Sequence, residues 1–193
     1  MHTRSLVVLA ALLVLASDFR VSHAQEAEEE IVLTRFQQAV DGYVSLKAEA
    51  TDGRQAPEIS LGMGNIRRAI AARHDAIAAA RSGARQGDVF SNEVKRIVRA
   101  RIHEVLSLHG LNDIQALAIV DDEVSGPVPM IIVNGFFPWD YGSAMLPCVI
   151  GALPPLPRGL QFRFVHTSLV LLDVEADLIV DILPHALLEG LYA

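Results

Sequence analysis

The sequence predicts an α+β fold: N-terminal amphipathic helices packed on a small C-terminal antiparallel sheet, a β-meander. Three observations predict it. Apolar residues recur every three or four positions as far as about Val120. A stretch holding two prolines and a glycine, residues 121–129, then breaks that period. Beyond it, apolar residues alternate or cluster in short β-prone runs. Helices followed by strands, with no βαβ alternation, is the α+β pattern.

The chain opens with Met1-His2-Thr3-Arg4, an apolar run over residues 5–16, and a polar stretch closing on Ser22-His23-Ala24 before Gln25. A basic end, a short apolar run and a small-x-small site in that order predict a signal peptide, 1–24, cleaved after Ala24. The apolar run is about half of the roughly 20 residues a spanning helix needs, so no transmembrane segment is expected in the mature chain. Residues 25–193 are expected to form a single α+β domain with a helical part (28–120) and a sheet part (128–193). The expected location is exported, periplasmic or extracellular.

That mature segment carries 14 basic and 22 acidic residues, a net charge of −8, which argues against nucleic acid as the main partner. The charge is uneven: residues 54–101 hold a +6 block between a −5 and a −9 block. One reading folds the basic helices against the acidic ends. The other presents a basic face to an anionic envelope surface or polymer. Cys148 is the only cysteine, so no internal disulfide forms, and its apolar neighbours predict a buried, inert thiol.

The elements follow in order. Residues 28–50 read as a helix with Val32, Phe36, Val40, Tyr43 and Lys47 on one stripe. Residues 51–64 read as a loop. Asn65 is placed to cap a second helix ending at Ala80, and residues 82–87 form a Gly- and Arg-rich break. Ser91 caps a third helix, which Gly110 stops. Asn112 or Asp113 caps a fourth through Val120. Met130-Ile131-Ile132-Val133 is a β-prone run, and Asn134-Gly135 can turn it into a hairpin that Pro138 limits. Pro147 begins one helical turn through Ala152. Leu153-Pro154-Pro155-Leu156-Pro157 is an extended, stiff connector. Residues 160–165, 169–173 and 178–183 read as the three strands, with Val174-Glu175-Ala176-Asp177 as a hairpin connection. The alternative is a helix over 174–183 capped by Asp173, against which the cluster Leu178-Ile179-Val180 with Ile182 leans.

The proline step, Phe162-Arg163-Phe164-Val165, Leu172-Asp173-Val174 and Leu178-Ile179-Val180-Asp181 together resemble a family of small exported bacterial proteins of uncharacterised role. Residues 84–90, Ala-Arg-Gln-Gly-Asp-Val-Phe, are similar to a loop before one of that family's helices. A fainter likeness links the final hairpin to C-terminal hairpins of other small periplasmic proteins, including metal-stress proteins. The resemblance implies an exported α+β protein and carries no activity or site. Where such relatives have a glycine turn between the first two strands, this chain has His166-Thr167-Ser168.

No catalytic signature is complete. His103-Glu104 begins a zinc-protease helix motif, but the second histidine position is Ser107. Asp173, Glu175 and Asp177 open like a calcium loop, but its sixth and twelfth positions are Leu178 and Pro184, so solvated carboxylates are expected. Gly62-Met63-Gly64 lacks the third glycine of a dinucleotide loop, and Ser143 lacks a nucleophile-elbow frame.

The expectation is therefore a non-enzymatic envelope or periplasmic protein, binding or structural, without cofactor. It would meet an envelope protein or ligand, or a second copy of itself through the helices. The candidate binding residues are Phe136, Phe137, Trp139 and Tyr141, the densest aromatic cluster, which reads either as a plug over the sheet or as a recognition loop. Arg67, Arg68, Arg96, Arg99 and Arg101 follow, for their charge. The rival is a metal-dependent hydrolase using Asp173, Asp177, Asp181, His166 and His185.

Overall fold

The computed structural model describes residues 3–51, 63–121, 126–141 and 145–187, with side chains from Gln25 in the first helix and from Gly64 in the second. It divides into two compact units, residues 1–35 and 36–193. Helix α1 (Thr3–Thr51) makes up the first unit and opens the second. It starts earlier than the expected residue 28. No proline or glycine lies between residues 3 and 41, and good helix formers dominate that stretch, so nothing local stops the helix. Among the described residues, no helix is long and apolar enough to cross a membrane.

The second unit has the expected α+β class. After α1 come α2 (Met63–Ala80), α3 (Asn92–Leu108), α4 (Asp113–Val120), α5 (Pro147–Ala152), β1 (Leu160–Val165), β2 (Ser168–Asp173) and β3 (Leu178–Leu183). Most of the expected loop over 51–64, and residues 122–125 of the expected boundary, lie outside the described residues. Local chemistry sets the helix ends. The Ser91 hydroxyl accepts from the Val94 N–H at 3.3 Å and caps α3, and Gly110 follows its end at φ 68°. Asn112 caps α4 in a reciprocal capping box with Gln115, at 2.9 Å each way. Pro147 sits in the first turn of α5, where a missing N–H costs nothing.

The sheet is an antiparallel meander in the order β1-β2-β3. Leu160 pairs with Asp173 and Val165 with Ser168, so His166 and Thr167 alone turn the first hairpin. His166 takes the left-handed conformation a tight turn requires, φ 54°, without glycine. The second hairpin is braced by Asp173, whose Oδ1 accepts from the Glu175 and Ala176 N–H groups. A register shift between Leu171 and Leu172 leaves Val180 as the extra residue of β3.

Both faces of the sheet are covered, which is why β2 and β3 are buried almost throughout. On one face Phe162 meets Phe36 and Phe90, three rings with centroids 6.0–6.4 Å apart. On the other, Val165, Val170, Leu172, Ile179 and Ile182 pack with Phe137 and Tyr141. The second cover comes from the segment around 131–141, and here the sequence reading needs correction. Met130–Val133 forms no strand, and Val133 already belongs to a turn. Asn134 and Gly135 do not turn a hairpin of their own. They dock on β3 instead: the Asn134 N–H donates to Ile179 O, the Ile179 N–H donates to Gly135 O, both at 2.9 Å, and Phe136 bridges to Leu178. Cys148 is half-buried rather than buried.

Candidate functional site

Asp173, expected to be solvated, is instead fully buried on the helix-covered face of the sheet, and Asp181 is fully buried on the same face. Asp173 accepts from the Tyr43 hydroxyl at 2.7 Å and from Lys47 Nζ at 3.0 Å, and Lys47 also reaches Glu175 at 2.8 Å. Burial, with the Asp173 carboxylate and its hydrogen bond adding to it, pushes the Tyr43 hydroxyl far above the ordinary phenol range. Arg81 lies with its guanidinium 5.1 Å from the Tyr43 ring centroid and donates to Val180 O, and its own burial lowers its proton affinity. Asp181 accepts from the backbone N–H groups of Gly87, Val89 and Phe90 at 2.7–2.8 Å. These carboxylates fasten α1 and the 85–90 loop to the sheet.

The rival metal set is therefore not assembled. Asp173 and Asp181 are committed to separate donors, and Asp177 accepts from the Trp139 indole at 2.7 Å. His166 pairs with Asp121 at 2.6 Å, and His185 lies in an exposed turn at φ 51°. Among the described residues no three His, Cys, Asp or Glu side chains come together to hold a metal.

The aromatic cluster divides. Phe137 and Tyr141 are buried under the sheet, so they are plug rather than contact surface. Burial, and after it the nearby Asp121 charge, raises the proton affinity of Tyr141. Phe136 and Trp139 are half exposed. Phe136 stacks on the buried His74 ring at 3.8 Å, and Trp139 meets Phe137 edge-on at 4.9 Å. The arginines divide as well. Arg67, Arg68 and Arg96 are exposed on α2 and α3, with Arg68 bonded to Gly64 O and the Asn65 side chain. Arg99 donates to Pro184 O at 2.6 Å and Arg101 to Ala152 O at 3.4 Å, which makes these two braces between α3 and the C-terminal part.

One concavity among the described residues was not named from the sequence. A groove of about 840 Å³ runs along the open edge of β1. Leu153, Pro154, Pro155 and Leu156 wall one side, residues 160–163 of β1 form the other, and Met145, Ile150 and Gly151 close it. Its volume is that of a small-ligand site. Arg163 is the only charged residue lining it among the described residues. The Arg163 Nη2 is held by Gln161 Oε1 at 2.8 Å, while its buried Nε has no partner among the described residues. The sequence signal was present but split: a proline run placed just before the first strand of a meander puts a stiff wall beside an edge strand.

Fold and site together define an α+β chain whose three-stranded meander is covered on both faces and bordered by an apolar groove at one edge. Comparison with protein-family models, curated proteins and solved structures gave no match.

Proposed function

We propose that this is a non-enzymatic, exported binding protein whose ligand site is the groove along β1, and that it belongs with the small exported bacterial proteins its C-terminal third resembles. The observation that carries the binding reading is the groove itself: about 840 Å³, walled by apolar side chains, with one charge. Apolar surface left in a concavity is a reservoir of binding free energy, because an apolar ligand removes it from water. The basic start, the apolar run and Ser22-His23-Ala24 support export. The rival hydrolase reading loses its support because its carboxylates are committed to Tyr43, Lys47 and backbone donors.

Gly151 supplies the test. Gly151 lines the groove and a Cβ added there meets nothing within 4 Å, so Gly151→Trp is the variant chosen to occlude it, with unfolding by urea as the check that it folds. A solvatochromic apolar dye should bind the wild-type chain saturably and bind G151W at least about tenfold more weakly. Equal dye binding by both proteins, or saturable binding by neither, defeats the reading.

A further inference from the structure

The groove's floor is backbone as well as side chain. The Val174 N–H donates to Gly159 O at 3.0 Å, which turns that carbonyl toward β2. The Leu160 N–H turns the other way, to Pro157 O at 3.2 Å. An antiparallel ladder alternates from there, so the N–H and C=O of Phe162 point away from β2, on the groove side. No described residue pairs with them, since β1 has β2 as its one neighbour. The segment running alongside is unable to close the sheet. Pro154, Pro155 and Pro157 have no N–H to give, so residues 153–157 wall the edge without becoming a strand.

We propose that an extended peptide bearing a carboxylate adds to β1 as a fourth strand in this groove, with its carboxylate on Arg163. This rests on the groove being the ligand site. Three features select that occupant. A peptide supplies the N–H and C=O partners that Phe162 lacks, whereas an acyl chain would bury them unpaired. Its alternate side chains meet the apolar walls. A carboxylate meets the guanidinium of Arg163, the one charged residue among the described residues that line the groove. A second copy fits worse, because edge-to-edge pairing of two β1 strands brings two Arg163 guanidinium groups onto one short edge.

The test screens the purified protein against a bead library of random heptapeptides with free carboxyl termini, with G151W as the counter-screen. Selected peptides should alternate apolar positions and carry an acid. N-methylation of alternate amides should weaken binding at least about tenfold, and Arg163→Met about tenfold, consistent with loss of charge-assisted and backbone bonds. The Phe162 amide resonance should move downfield on peptide binding. If palmitate binds and G151W abolishes that binding, while no library peptide binds or N-methylation changes nothing, strand addition is overturned and the groove reading stands. If neither peptide, palmitate nor dye binds, both fall. Concentration-dependent dimerisation that R163M strengthens and peptide fails to reverse also overturns the proposal, in favour of a second copy.

Discussion

Removing the Asp181 carboxylate should be among the most damaging single changes available in this chain. It is fully buried, and its oxygens take the Gly87, Val89 and Phe90 N–H groups at 2.8, 2.8 and 2.7 Å. In Asp181→Ala the Val89 and Phe90 donors stay buried without partners, at about 1–3 kcal/mol each, and the partly buried Gly87 donor adds a fraction of that. The sum is about 4 kcal/mol, a large share of the ~5–15 kcal/mol that holds an ordinary domain folded. Asp181→Asn keeps one acceptor oxygen but turns an NH2 toward the remaining donors, so about 2 kcal/mol is expected. Equilibrium urea unfolding followed by circular dichroism reads both, provided the m-value is unchanged. A loss below about 1.5 kcal/mol for D181A, or D181N as harmful as D181A, would refute the view that this carboxylate holds the 85–90 loop on the sheet.

Three further outcomes follow from particular contacts. Tyr43→Phe removes the buried hydroxyl that donates to Asp173 and should cost about 1–2 kcal/mol, measured by the same unfolding experiment. It should also flatten the alkaline limb of stability. The folded chain keeps the Tyr43 proton well beyond the ordinary phenol value of about 10, while the unfolded chain releases it there. Stability from this group is therefore complete below pH 10 and declines as pH rises above it, and a limb unchanged in Y43F would contradict the assignment. Gly135→Ala should loosen the cover on β3, because the new Cβ would lie 2.9 Å from the Ile132 side chain and 3.0 Å from its carbonyl oxygen. A thermal-unfolding loss of about 1–3 kcal/mol is expected. N-terminal sequencing of the chain recovered outside the cytoplasm should begin at Gln25, and a chain still beginning at Met1 would contradict cleavage.

Much of the fold was legible because its signals are local. Ser91 and Asn112 cap helices through bonds three residues away, and Pro147 opens α5 by its own ring geometry. The three strands announced themselves as apolar runs between turn residues. What stayed hidden depends on partners remote in sequence. Asp173 is bonded by Tyr43 and Lys47 from 130 and 126 positions away, so nothing beside it marks it as buried. Met130–Val133 has strand composition, but Asn134 and Gly135 take the docking position on β3 through Ile179 and leave the run before them without a strand partner. Its outward residues remain bare, with Met130 90% exposed, while Ile131 and Val133 pack inward. The aromatic cluster is split by burial, with Phe137 and Tyr141 covered and Phe136 and Trp139 half exposed, a division that depends on packing against the sheet and not on local sequence. The groove was invisible because it is a property of strand order: only once β1 is known to be an edge does the proline run beside it become a wall.

The same packing gives the groove a dependence on residues that do not line it. Phe162 lines the groove, and its ring is held by Phe90 at 6.2 Å and Phe36 at 6.4 Å. Phe90 is in turn fixed by its N–H bond to Asp181. The chain of support therefore runs from a buried carboxylate, through a loop and two rings, to the groove floor. Phe90→Leu should shorten one link and leave Arg163 and the proline wall untouched. It should cost about 1–3 kcal/mol of stability, yet leave a folded protein at low temperature. If Phe162 needs that ring to hold its position, the dye that reads the groove should bind F90L several-fold more weakly while G151W still abolishes what remains. Unchanged affinity in a destabilised F90L would mean that β1 is positioned by its ladder to β2 alone, and that the helix-side core stabilises the fold without shaping the site.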